Sequence, residues 1–360
     1  MIEVYRPGKL FIAGEYSVVE TGRKAIVSAI NRFIVVKIWK SREYKVTSFN
    51  GAWTHFELTP DGELIFTDDK EKWAYIKSSI KLSLKYLKTQ NVDFEPFEIE
   101  VKSQMEDKNG KKYGIGSSAS VTVAVIEAIF KHFGKFISKD QLFKLSCLST
   151  LHISLDNSCA DIAAVVYTGI VYYQKFDTFK LISEIRNMEI YDIVNSPWEG
   201  LSIENIEVND SWDFLVAWTE SPASSKNLVR KVKETAGQDS FYIDFQDKSD
   251  EIVEDIKDSY INKDFEKFKL SIERARENLL RLDCKYDVGI ETRKLKELSE
   301  LANLCGYASK LSGAGGGDCG IAFYPNKDER KLMIDKWKEN NIIYLNFEIF
   351  SEDKNGKQKR

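Results

Sequence analysis

From Ser118 to Phe133 the chain is apolar nearly all round a helical wheel. A helix of that kind has no face to offer water, so other elements must enclose it. Directly before it stands Tyr113-Gly114-Ile115-Gly116-Ser117-Ser118-Ala119-Ser120. Glycines let the backbone approach an anion without Cβ clashes, and the free amides of a helix start attract phosphate. Ser117 and Ser118 add hydroxyls that can donate to phosphate oxygens or ligate Mg²⁺. Read alone, the segment is equally a glycine turn at a helix N-cap. It is not a Walker A loop, since no Gly-Lys-Ser/Thr follows, nor a dinucleotide fingerprint, since the third glycine is missing.

The 360 residues exceed what a single core usually fills, which points to two domains, divided near residue 185 (1–185 and 186–360). In the first half, Met1–Tyr5 and Lys9–Ala13 read as short strands around a Pro-Gly break, and Ala25–Trp39 as a central strand rich in β-branched residues. Tyr44–Ile65 reads as hairpins with Asn50-Gly51 and Asp61-Gly62 turns. Glu71–Lys88 has helical spacing, Phe97–Val101 is a strand, Lys139–Leu151 a helix and Val165–Gln174 a strand; a turn at Pro197–Gly200 marks the changeover.

The second half begins with a strand at Asp213–Trp218, followed by charged amphipathic helices at Gln246–Leu282 and Val288–Cys305. A strand at Gly320–Tyr324, a helix at Asp328–Glu339 and a strand at Ile342–Phe350 complete it. The class is α+β, with helices on one face of an antiparallel sheet.

Two further glycine-bearing segments bracket the chain. Lys310-Leu311-Ser312-Gly313-Ala314-Gly315-Gly316-Gly317-Asp318-Cys319-Gly320 holds five glycines in the eight positions from Gly313. That run loses much conformational entropy on folding, which makes sense where backbone packs against a ligand or another domain; a structural turn is the plainer alternative. Near the amino terminus, Arg6-Pro7-Gly8-Lys9-Leu10-Phe11-Ile12-Ala13-Gly14-Glu15-Tyr16 places a lysine beside glycine at a strand start, where it could lie next to a reacting centre or simply face solvent.

Composition excludes several classes. A formal charge of −4 leaves no global basic footprint for nucleic acid, so an anionic substrate needs a local site. The five cysteines are scattered, without zinc or redox spacing, and read as reduced thiols. Arg6 to Lys9 interrupt any signal-peptide core, and no stretch approaches the roughly 18 apolar residues of a membrane span, so the expected location is the cytoplasm. His55, His132 and His152 have no catalytic setting.

Together the three glycine segments resemble the three motifs of the GHMP kinases, the superfamily of galactokinase, homoserine kinase and mevalonate kinase. Gly14-Glu15-Tyr16, the Gly-Gly-Gly-Asp-Cys-Gly ending of the third motif and Trp218-Thr219 with Ala223-Ser224-Ser225 are similar to the phosphomevalonate kinase branch. The resemblance implies a ribosomal protein S5 domain 2-like amino-terminal domain followed by a ferredoxin-like domain. It implies ATP-dependent phosphorylation of (R)-5-phosphomevalonate to mevalonate 5-diphosphate, in the mevalonate route to isoprenoids. ATP and Mg²⁺ are the implied cofactors, and neither nucleic acid nor membrane is an implied partner.

In that picture Gly114, Ile115, Gly116, Ser117, Ser118, Ala119 and Ser120 cradle the ATP phosphates, with Ser118 the first choice for Mg²⁺ and Ser117 the second. Lys9 sits between donor and acceptor phosphates, and Asp161, in Asn157-Ser158-Cys159-Ala160-Asp161, is the carboxylate that orients or accepts a proton. Relatives usually carry glycine near Cys159, and Asp156 is the competing carboxylate. Trp73 would stack on adenine or fill the core. Tyr16, Lys112, Ser224, Ser225, Ser312, Gly313, Ala314, Gly315 and Gly316 would hold the acceptor, with Lys111 and Lys226 as further cations. Alternatives are a GHMP kinase acting on an alcohol, such as mevalonate or a sugar, and a non-catalytic ligand sensor; the presence of both Lys9 and Asp161 weighs against the sensor.

Overall fold

Two β-sheets of unequal size carry the chain. The computed structural model describes residues 1–59, 63–68, 70–221, 225–237 and 239–352, without the side chains of Ser225 and Lys226. The Asp61-Gly62 turn lies outside the described residues.

The first half runs β1 (Ile2–Ala13), β2 (Lys24–Lys40), β3 (Tyr44–Thr47), β4 (Trp53–Leu58), β5 (Leu64–Phe66), α1 (Ala74–Lys88), β6 (Phe97–Ser103), α2 (Ser117–His132), α3 (Lys139–Leu151), α4 (Ala160–Tyr167), β7 (Ile170–Gln174), α5 (Thr178–Ile185), α6 (Ile190–Asn195) and β8 (Ser202–Ile206). The sheet has the order β5-β4-β3-β6-β2-β7-β8, with β1 also paired to β2. Its ladders are antiparallel except β3 against β6. The β-branched run of β2 is buried from Ala25 to Ile30, as a strand with both faces covered requires.

β1 is one strand where the Pro-Gly break suggested two. Pro7 has no N–H to give the ladder, and the register shifts between Pro7 and Gly8 instead of ending there. Beyond the shift, Lys9 N donates to Ile115 O at 2.9 Å, tying β1 to the loop before α2. Gly8 is required at this crossing, because a Cβ there would sit 2.9 Å from Ile115 O.

α2 is enclosed as its apolar surface demands, packed on β1 and β2 and flanked by α1, α3 and α4. α3 starts with a reciprocal capping box between Ser138 and Gln141. The strand expected at Val165–Gln174 is half helix: α4 ends at Tyr167, Thr168 and Gly169 reverse the chain with φ of 59° and 71°, and β7 follows. Val165 and Val166 are buried within α4, and a short apolar run of that kind has no periodicity to separate helix from strand. β8 joins this sheet from beyond the division at residue 185.

The second half comprises β9 (Asp213–Trp218), α7 (Ser225–Ala236), α8 (Ser240–Ile261), α9 (Phe265–Tyr286), α10 (Arg293–Leu304), β10 (Ala308–Leu311), β11 (Cys319–Tyr324), α11 (Arg330–Glu339) and β12 (Ile343–Leu345). Its sheet, ordered β10-β11-β9-β12, is wholly antiparallel. The long helix expected at Gln246–Leu282 is a hairpin of α8 and α9. Lys263 takes φ 58° at the break, and Asp264 caps α9 by accepting Lys267 N at 3.1 Å. The strand expected at Ile342–Phe350 also divides: β12 pairs β9, then Asn31 N donates to Glu348 O and Phe350 N to Ala29 O, returning the chain to β2.

α8 packs across β2, where Arg23 binds Asp247 and Asp250 and Lys24 binds Glu254. The main hydrophobic cluster is continuous from the first sheet through α8 and α9 to Ile321 and Phe323 of the second. That shared core sets the two sheets around one cleft.

Candidate active site

The cleft encloses about 520 Å³, and all three glycine segments meet at it. Gly116 is the N-cap of α2 in a left-handed conformation, φ 83°, and no side chain caps the helix. Its leading amides are therefore left for an anion. Ser117 and Ser118 line the cleft, and their hydroxyls bond no protein group among the described residues. Lys9 runs along the helix start so closely that a Cβ on Gly116 would lie 2.7 Å from Lys9 Cε. Its ammonium is 5.1 Å from the Phe11 ring centroid.

Asp161, half-buried on the cleft wall in the first turn of α4, accepts Ile162 N at 2.9 Å. Burial pushes its carboxyl above the usual carboxylate range, and the nearby Lys9 charge opposes that shift. Asp156 sits at the rim and is paired with Lys233 at 2.9 Å, which leaves Asp161 as the carboxylate facing Lys9.

The third glycine segment is a hairpin loop between β10 and β11. It is stitched to the first. Glu15 and Lys310 form a buried ion pair at 2.5 Å, Tyr16 Oη donates to Ala314 O at 2.5 Å, and Ser312 Oγ donates to Phe11 O at 2.9 Å. Its far end meets the second segment: a Cβ on Gly114 would fall 2.2 Å from Asp318 Cγ, and Cys319 Sγ donates to Tyr113 O at 3.1 Å.

Several residues expected to touch ligand have other work. Trp73 is 1 % exposed in the core, with Nε1 donating to Asp68 Oδ2, so it cannot stack on adenine. Ser120 is fully buried and donates to Pro7 O at 2.6 Å, and Ile115 and Ala119 face the core. The hydroxyls of Tyr16 and Ser312 are committed to backbone carbonyls, as given above, and burial drives the Tyr16 phenol far above its ordinary pKa. Gly315 and Gly316 pack on Ile290, where a Cβ on Gly315 would lie 2.1 Å from its carbonyl oxygen. Of that loop, Gly313, Ala314 and Asp318 line the cleft.

Lys112 is exposed on a neighbouring recess of about 350 Å³ on the other side of Ser117 and Ser118. Ile34, Phe49, Tyr75, Ile76 and Val121 give that recess an apolar lining. Lys111 lies 4.0 Å from Glu220. Ser224 falls outside the described residues, as do the side chains of Ser225 and Lys226.

The cleft also holds residues that the sequence did not single out: Glu71, Tyr75, Asn157, Ser158, Asn227 and Arg230. Asn157 and Ser158 were legible from their place just before Asp161. Arg230 had no signal, since a cation on an amphipathic helix reads as a solvent-facing residue.

A cleft between two α+β domains, with an uncapped glycine-led helix start beside Lys9 and Asp161, has the features that phosphoryl transfer uses. The chain belongs to the GHMP kinases: the GHMP kinases N terminal domain matches residues 74–169, and the GHMP kinases C terminal domain matches residues 252–343. Phosphomevalonate kinase from Streptomyces sp. (strain CL190) is 30% identical over 356 residues, covering 95% of each chain. The structure of Streptococcus pneumoniae phosphomevalonate kinase in complex with phosphomevalonate and AMPPNP aligns with a TM-score of 0.85 at 28% identity, covering 97% of this chain and 100% of that one. The Lin0012 protein from Listeria innocua aligns with a TM-score of 0.91 at 35% identity, covering 96% and 97%. Among the described residues no helix is long and apolar enough to cross a membrane.

Proposed function

We infer that this chain transfers the γ-phosphoryl group of ATP to the 5-phosphate of phosphomevalonate. The supporting observation is the meeting of Lys9, Asp161 and the open α2 start on one cleft, in a chain similar along its whole length to phosphomevalonate kinases. An oxygen of the acceptor phosphate attacks Pγ, the bond from Pγ to the bridging oxygen breaks, and ADP leaves with that electron pair. Such a loose transition state needs alignment and charge compensation more than covalent help.

The α2 amides and the Ser117 and Ser118 hydroxyls hold the ATP phosphates, and the apolar recess beyond them suits the adenosine. Lys9 offsets the repulsion of two polyanions brought end to end, a role that fits a compact ammonium. The second pKa of a phosphomonoester is about 6, so the acceptor is largely ionised at neutral pH. Asp161 therefore serves chiefly to hold Lys9 in line. Arg230, across the cleft on α7, supplies positive charge for the acceptor phosphate.

Mg²⁺ fits this site. The ion takes hard oxygens, keeps water and phosphate in most of its positions, and needs one or two protein groups. Ser118, with Ser117 beside it, offers such oxygens at the phosphate end of the cleft. Bound there, Mg²⁺ would neutralise charge on the ATP phosphates.

The decisive experiment is a substrate panel with coupled ADP detection. ADP release with phosphomevalonate, and not with mevalonate or galactose, is expected. Turnover of either alcohol without turnover of phosphomevalonate would overturn the reading.

A further inference from the structure

Two buried side chains at the end of β7 reach into the segment that leads to α4. Tyr173, fully buried, donates its hydroxyl to Ser158 O at 2.8 Å. Lys175, 1 % exposed, donates its ammonium to Asn157 O at 2.5 Å. Two consecutive carbonyls are thus gripped from beneath, at residues that line the cleft. The next residue, Cys159, has φ 61°, a conformation that side chains rarely adopt, and its N–H is held by Asn157 Oδ1 at 2.8 Å. A strained turn of this kind persists only where its surroundings over-determine it. Asp161 follows two residues later.

Lys175 is an expensive way to hold a turn. No carboxylate forms an ion pair with it among the described residues; the Phe176 ring lies at 5.3 Å, and Cys159, Cys147, Lys233 and Glu20 act on its charge from farther off, as it acts on Asp161. Desolvation accordingly holds its pKa below that of an ordinary lysine. Taking an ion out of water costs more than one carbonyl hydrogen bond returns, so the fold alone gives no reason for a lysine here.

We propose that Lys175, assisted by Tyr173, is a positioning residue for phosphoryl transfer: it pins the Asn157–Ser158 backbone so that Asp161 is presented to Lys9 across the cleft. The proposal rests on the cleft being the site of transfer. Lys175 touches neither substrate nor reacting atoms and acts through the loop that it grips.

The test is steady-state kinetics and thermal denaturation of Lys175→Met, Lys175→Gln and Tyr173→Phe in the full chain. Lys175→Met should lower kcat by about 10- to 100-fold, the scale of a misaligned reacting group. The KM for ATP should stay within about twofold, since the α2 phosphate site is untouched, and the thermal midpoint should be unchanged or higher. Lys175→Gln keeps a donor and should recover part of kcat, while Tyr173→Phe should lower kcat less. Wild-type kcat in Lys175→Met overturns the proposal, as does a kcat loss that tracks a falling thermal midpoint across the three variants. If Lys175→Met does not fold, wild-type kcat in both other variants overturns it. Rates are compared with whichever acceptor the wild-type enzyme phosphorylates, so the choice of substrate and the role of Lys175 can fail separately.

Discussion

Replacing Lys310 with methionine would strip Glu15 of its charge partner inside the contact between the two domains. The side chains are 0 % and 3 % exposed and meet at 2.5 Å. Gross attraction at that distance is about 6–7 kcal/mol for an effective dielectric near 20, and desolvation of the two ions offsets most of it. Breaking such a pair from one side strands a buried charge at a cost of about 3–5 kcal/mol. Among the described residues, Lys310→Met leaves Glu15 the Gly313 N–H at 3.3 Å, and Glu15→Met leaves the ammonium Leu311 O at 2.6 Å. Each single variant should therefore lose about 3–5 kcal/mol of unfolding free energy. The double variant removes both charges and should return to within about 1 kcal/mol of wild type, the remainder being the Gly313 amide and Leu311 carbonyl that lose their side-chain partners. Urea denaturation followed by circular dichroism, arranged as a double-mutant cycle, measures this directly. Single losses below about 1 kcal/mol, or a double variant as unstable as the two singles combined, would refute the reasoning. The double variant should also lose activity, because Gly313 and Ala314 line the cleft from this anchor.

Lys9→Ala and Asp161→Asn should each lower kcat by at least about a hundredfold, the scale of a lost transition-state contact, with unchanged circular dichroism. Asp161→Asn carries a second signature. Burial raises the Asp161 pKa, so the folded state holds that proton more tightly than the unfolded state. The associated stability is present below the unfolded pKa of about 3.9 and is lost as pH rises through the folded value. The variant should thus melt higher than wild type at pH 7 but not below about pH 4, as a calorimetric pH series would reveal. Gly116→Ala places a Cβ 2.7 Å from Lys9 Cε at φ 83°; it should lose about 1–2 kcal/mol of stability and lower kcat by displacing Lys9, both measurable on purified protein. Arg230→Ala should raise the KM for the phosphorylated acceptor by about tenfold or more, the worth of a charge-assisted hydrogen bond, and leave the KM for ATP unchanged; equal changes in both would remove Arg230 from the acceptor site.

Local signals led furthest where local physics decides the outcome. The apolar wheel of α2, the β-branched run of β2 and the helical spacing of α1 and α3 each came out within a few residues of their observed ends. Errors fell where neighbours decide. Val165 and Val166 look like a strand until α4 is seen buried among its neighbours, and α8 and α9 share one amphipathic pattern through a break marked only by Asn262-Lys263-Asp264. In the third motif, the glycine run fits packing against a ligand, another domain or a plain turn equally well. Gly315 and Gly317 in fact answer to protein backbone, with Cβ positions 2.1 Å from Ile290 O and from Ser221 O.

The chemical kit is legible along the chain: a glycine-led helix start, a lysine on the first strand, and an acidic residue opening a short apolar helix. Those functions depend on residue type and near neighbours, which a linear string records. Which polar groups are spent on protein, and which stay open to the cleft, emerges from the packing of distant segments. Tyr16, Ser120 and Ser312 are consumed by carbonyls distant in the chain, whereas Ser117 and Ser118 are left facing the cleft, and Arg230 reaches it while lying 3.7 Å from Glu234. A hydroxyl's availability depends on acceptors that folding brings from as far as 301 residues away, and no local pattern carries that information.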